Sequence, residues 1–62
     1  MLSNFIGQKV RVVVYNKQNE PEIDLICKNL DDGITRFFSK YKFIKYHKTK
    51  ITGLNVIELL KE

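Results

Sequence analysis

Glu22-Ile-Asp-Leu-Ile-Cys-Lys-Asn-Leu-Asp-Asp-Gly-Ile-Thr-Arg-Phe-Phe-Ser39 is the stretch on which the architecture turns. Its first half alternates. Ile23, Leu25 and Cys27 point one way and Glu22, Asp24 and Lys28 the other, with Ile26 and Leu30 as exceptions, so Glu22 to Leu30 reads as a strand. Asp32-Gly33 then stands between two apolar runs. That dipeptide predicts a type I′ hairpin turn, because both central residues of the turn need positive φ. The turn sets a register: Asp31 opposite Ile34, Lys28 opposite Phe37, Cys27 opposite Phe38. Phe38 then joins Leu25 and Cys27 in the core, and Phe37 falls on the other face beside Lys28.

Strand signals continue on both sides. Lys9 to Tyr15 is dense in valine, with Val10, Val12 and Val14 on one face and Arg11, Val13 and Tyr15 on the other. Asn16 to Pro21 is a polar loop, and Pro21 opens the next strand, where a missing N–H costs least. Tyr41 to Ile51 is rich in aromatic and β-branched residues, which favours a strand or a bent pair of strands. A helix also fits there, because Phe37, Tyr41 and Ile44 have helical spacing. Leu2 to Ile6 fits one helical turn, stopped by Gly7. The tail fits two states: Asn55 to Glu58 is a capping box, and Asn55 to Leu60 is equally a short closing strand. Several short strands, with turns at Asn16 to Pro21, Asp32-Gly33, Ser39-Lys40 and Thr52-Gly53, predict an all-β fold. The expected form is a small five-stranded barrel with a short N-terminal helical turn, a sheet closed on itself to limit free edges.

A chain of 62 residues makes one domain, spanning 1–62. At that size only ~60% of the unfolded surface is buried, which leaves little room for a large enzyme cleft. One cysteine excludes a disulfide framework and a cysteine-based zinc site. The longest apolar runs, Val12-Val13-Val14 and Leu59-Leu60, fall far short of the ~18 residues of a membrane span. Met1 to Val10 lacks the pattern of a signal peptide. The expectation is a cytoplasmic domain with no membrane contact.

Charge is segregated. From Glu20 to Asp32 there are five acids and one base, Lys28; from Arg36 to Lys50 there are six bases and no acid. The basic stretch also holds Phe37, Phe38, Tyr41, Phe43 and Tyr46. Cations that neutralise phosphates, interleaved with rings that stack on bases, are what single-stranded nucleic acid requires. The competing reading makes the aromatics core and the lysines a solvated face. The candidate contacts are Lys28, Arg36, Lys40, Lys42, Lys45, Lys48 and Lys50 for phosphate. Phe37 and Tyr41 are the stacking candidates, with Tyr46 a weaker one.

Other chemistry has less support. Cys27 and His47 are a pair of catalytic type without an orienting third group, and an inward-facing thiol in apolar surroundings is inert. His47 alone is no metal site, and Asp31-Asp32 reads as turn chemistry. Gly7, Gly33 and Gly53 are isolated and form no phosphate loop. The acids from Glu20 to Asp24 form either a solvated face or a complement to the basic stretch of a neighbouring copy, a head-to-tail contact.

In its order of parts the chain resembles the Sm-like family of RNA-binding proteins, within the wider SH3-like barrels. Phe5-Ile-Gly-Gln-Lys-Val-Arg-Val-Val13 is similar to the family's first strand, and Asp31-Asp-Gly-Ile-Thr35 to the aspartate turn of its first motif. Ile51-Thr-Gly-Leu-Asn-Val56 is similar to the Ile-Arg-Gly-x-x-Val turn of its second. The family's base pocket uses an asparagine and that arginine, where this chain has Thr35 and Thr52. The glycine usual in the bent second strand is absent from Glu22 to Leu30. The resemblance therefore implies the barrel and an oligomeric ring, but not the pocket. In size and basicity alone the chain is also similar to small archaeal chromatin proteins. The resulting expectation is a protein without catalysis or cofactor that binds RNA or single-stranded DNA. The alternative is an assembly module whose basic face meets an acidic protein partner.

Overall fold

β-Branched residues crowd two short segments, and these make the centre of the molecule. β1 (Val10–Tyr15) and β4 (Asn55–Leu60) run parallel, with Val12 beside Ile57 and Val14 beside Leu59. β2 (Pro21–Cys27) flanks β1 and β3 (Lys42–Lys48) flanks β4, both antiparallel, which gives the order β2-β1-β4-β3. The computed structural model describes every residue from Met1 to Glu62. The domain is mostly sheet, with four strands and one short helix, α1 (Asp32–Phe38).

One face of the sheet carries the core. Val10, Val12, Val14, Ile57 and Leu59 point to it, and Leu2, Leu30 and Phe38 close over them. Leu2 comes from a single 3-10 turn, Leu2–Phe5. Gly7 follows at φ +84°, and its N–H donates to the Leu30 carbonyl at 2.8 Å while the Leu30 N–H donates to Gln8 at 2.9 Å. These two bonds hold the N-terminal turn and the β2–α1 loop together over the sheet. No element covers the opposite face, yet Val13 and Val56 there are only 6% and 4% exposed. Their cross-strand neighbours flank them: Asp24 and Glu58 beside Val13, Arg11 and His47 beside Val56.

The Asp32-Gly33 hairpin is absent, and α1 takes its place. Gly33 is not at positive φ; only Gly7, Gly53 and Asn19 are. Asp31 is extended (φ −114°, ψ 170°), and its Oδ1 accepts the Ile34 N–H at 2.8 Å. It is an N-cap. A short acidic side chain near a glycine serves a cap as well as a turn, so local sequence does not choose between them. Packing does. A strand at 34–39 would lie along the outer edge of β2, with one neighbour; as a helix the segment buries Thr35 and brings Phe38 to 3% exposure. The hairpin register fails with the turn, and Cys27 lies opposite Val10 rather than Phe38. The expected fifth strand is missing for the same reason. β2 and β3 do not pair, so the sheet has two edges and is not closed into a barrel. The strand reading of the tail holds, since Asn55–Leu60 is β4.

Removing the cap measures the helix directly. Asp31→Ala should lower stability by about 1 kcal/mol, seen as a lower urea midpoint at unchanged slope. An unchanged midpoint would show that the cap does not hold α1.

Cys27 sits on the core face of β2, half-buried and packed against the cluster. Burial, and then the charge of Asp31, push its thiol above the ordinary range. Since the thiolate is the reactive form, labelling by a thiol reagent should be slow in the native state and fast in denaturant. Equal rates would place Cys27 at the surface.

Candidate nucleic-acid interface

Strict alternation along β3 would mix its aromatic and basic side chains on both faces. The pairing with β4 prevents this. Phe43 lies opposite Leu59, Lys45 opposite Glu58 and Tyr46 opposite Ile57, so Ile44 is an extra residue that interrupts the ladder. Such a bulge resets which side chain points where. Phe43 and Tyr46 consequently share the core face, and Lys42, Lys45 and His47 share the open face.

The basic segment wraps this edge strand. Lys40 stands between α1 and β3, Lys42 and Lys45 on the open face, Lys48 at the far end opposite Asn55, and Lys50 in the β3–β4 turn. None of these five lysines makes an ion pair, whereas Arg11, Arg36 and Lys61 bond to Asp24, Asp32 and Glu22. Lys45 is the cross-strand neighbour of Glu58. That carboxylate already accepts the Tyr15 hydroxyl at 3.0 Å and stands 3.3 Å from His47 Nε2.

The aromatic candidates separate. Phe37 is 50% exposed and Tyr41 half-buried, with centroids 6.3 Å apart in an edge-on arrangement. The Lys40 ammonium lies 4.5 Å from the Phe37 centroid and 5.4 Å from that of Tyr41. Tyr46 is engaged elsewhere. It stacks on Phe5 at 5.2 Å, and its hydroxyl donates to Asn55 Oδ1 at 2.9 Å. Beside this group, a cavity of about 380 Å³ opens between α1, the N-terminal turn and the sheet, with Arg36, Phe38, Tyr41 and Phe43 in its wall.

Two expected members stand apart. Arg36 is paired with Asp32 at 2.7 Å, one helical turn away. Lys28 follows β2, at the opposite edge of the sheet from β3, and does not join the other cations. Cys27 and His47 likewise lie on opposite edges and opposite faces.

The open face holds a polar group that the sequence reading missed. Arg11 Nε donates to Asp24 Oδ1 at 2.8 Å, and this hydrogen bond and charge hold the Asp24 carboxyl below its ordinary pKa. The Tyr15 phenol is raised, first by its hydrogen bond to Glu58 and then by partial burial. Tyr15 and Glu58 are 43 positions apart in the chain, and only the parallel pairing of β1 with β4 brings them together. No group of three or more His, Cys, Asp or Glu side chains converges anywhere in the chain.

No family model, curated protein or solved structure matches the chain. No helix is long and apolar enough to cross a membrane.

Proposed function

We propose that the protein binds single-stranded nucleic acid, RNA or single-stranded DNA, along β3 and without catalysis. The observation that carries this reading is the run of five lysines free of ion pairs, from Lys40 to Lys50, beside the exposed ring of Phe37. A seven-residue strand extends for about 23 Å, so its flanking cations suit several successive phosphates. Phe37, with Tyr41 set edge-on to it, offers a base a stacking surface. Lys40 now covers that surface. A cation–π contact at an exposed site contributes ~0.5–1 kcal/mol and a stacked base ~1–3, so the base displaces the ammonium, which turns to a phosphate. The neighbouring cavity has room for an unstacked base. The reading needs neither a closed barrel nor the Sm-like pocket residues.

Fluorescence anisotropy with a labelled oligonucleotide tests it. Four or five phosphate contacts on a single strand give a log–log salt slope of roughly −3 to −3.5. Saturable binding should persist at ~0.15 M salt, where surface charges are screened beyond ~8 Å. Binding that vanishes there would favour the second reading, an interaction module for an acidic protein. Ile44 and Ile51, 48% and 98% exposed among the lysines, suit that partner better than a polynucleotide.

A further inference from the structure

The two free edges of the sheet are built differently. β3 is guarded by Lys42, Lys45 and Lys48 and broken by the bulge at Ile44. Lysines and bulges are how proteins keep an edge strand from pairing with another chain. β2 has no lysine within it, and its single irregularity lies at its start, where Glu22 is extra opposite β1. From Ile23 to Cys27 the ladder is regular, its outer backbone groups have no strand beside them, and Leu25 and Ile26 are 39% and 54% exposed.

We propose that this edge pairs with β2 of a second copy of the chain, antiparallel about a two-fold axis at Leu25. The pattern of β2 is self-complementary in that register. On the core face, Leu25 meets the partner's Leu25 and Ile23 meets the partner's Cys27. On the open face, Asp24, already bonded to Arg11, lies beside the partner's Ile26. Glu22 flanks the partner's Lys28 at each end of the ladder. Lys28, which has no ion pair within its own chain, thereby meets an acid twice per dimer. Apolar pairs and main-chain bonds hold the contact, and the end charges specify its register.

A head-to-tail contact between β2 and β3 is the weaker alternative. Both strands run opposite to the central pair, so stacking copies would pair them parallel, on the guarded edge. The two-fold pairing instead leaves β3 free at both ends of an eight-stranded sheet and stands independently of what β3 binds.

Light scattering across a concentration series tests the proposal on the full chain. The mass should rise from 7.3 kDa to twice that value and stop. Lys28→Glu or Glu22→Lys alone sets like charges against each other, and each should weaken the dimer about tenfold or more, because the axis counts the change twice. The combined exchange should restore it. Both positions are exposed, and the Glu22–Lys61 pair is a surface contact of small worth, so the variants keep the native circular dichroism spectrum. A mass that stays at 7.3 kDa, or climbs past two copies, would overturn the proposal. So would a dimer indifferent to the single exchanges or not restored by the combined one.

Discussion

Phe38→Ala should remove about half or more of the protein's stability. Phe38 is 3% exposed and belongs to the eight-residue core cluster, where it ties α1 to the sheet. Truncating a buried phenylalanine costs about 3–5 kcal/mol, from lost transfer energy and the cavity left behind. A 62-residue domain has a total stability of roughly 3–9 kcal/mol at the usual 0.05–0.15 per residue. The loss is therefore comparable with the whole. Phe37, adjacent in sequence, is half exposed, and Phe37→Ala should cost only about 1 kcal/mol, mostly its edge-on contact with Phe38. Phe38→Leu should stay within ~1.5 kcal/mol of the parent, because it keeps most of the volume. Urea unfolding of the three variants gives the ranking. Equal losses for the two alanine variants would mean that α1 does not bury Phe38.

Lys42→Glu combined with Lys45→Glu should weaken nucleic-acid binding roughly 50-fold or more at ~0.05 M salt and flatten the salt slope by about 1.4, from two lost phosphate contacts at ~0.7 each. The loss should be the same for every oligonucleotide sequence, because phosphate contacts carry no base information. Neither lysine has an ion pair to lose and both are exposed, but Lys45→Glu faces Glu58 across the ladder, a like-charge pair that should cost about 0.2–1 kcal/mol, so circular dichroism should confirm that the fold is kept. Phe37→Ala separates stacking from charge. It should cost ~1–3 kcal/mol of binding with the slope nearly unchanged. An unchanged affinity in the lysine variant would remove β3 from the interface.

Three of the four strands are legible for a local reason, while the tail fits helix and strand alike until it pairs with β1. Valines mark β1, alternation and Pro21 mark β2, and aromatic content marks β3. α1 was not readable. Seven residues make two turns, too few for a helical period to show against alternation. Its strongest local signal, Asp32-Gly33, belongs equally to a turn. The aromatic and basic content of Arg36 to Lys50 was plain from composition, but its division was not. Lys28 stands beside Phe37 only in a hairpin that does not form, and composition alone does not show that the Tyr46 ring stacks on Phe5.

Local sequence sets the periods and the punctuation. Strand segments, the N-terminal turn stopped at Gly7, and the separation of acids from bases are all properties of neighbours along the chain; the core is not, since Leu25, expected inside, is 39% exposed and Leu30, outside the alternation, is 1% exposed. Each remaining choice depends on residues far apart in the chain and is made by packing and pairing. Burial of Phe38 in the core cluster selects helix over hairpin at residues 32–38. Parallel pairing of β1 with β4 joins Tyr15 to Glu58 and leaves β2 and β3 as edges. The register of β3 against β4 extrudes Ile44, and that one extra residue turns Phe43 and Tyr46 inward while Lys42 and Lys45 face out. A strand's side chains repeat every second residue, so a bulge inverts everything beyond it, and only the partner strand determines where the bulge falls.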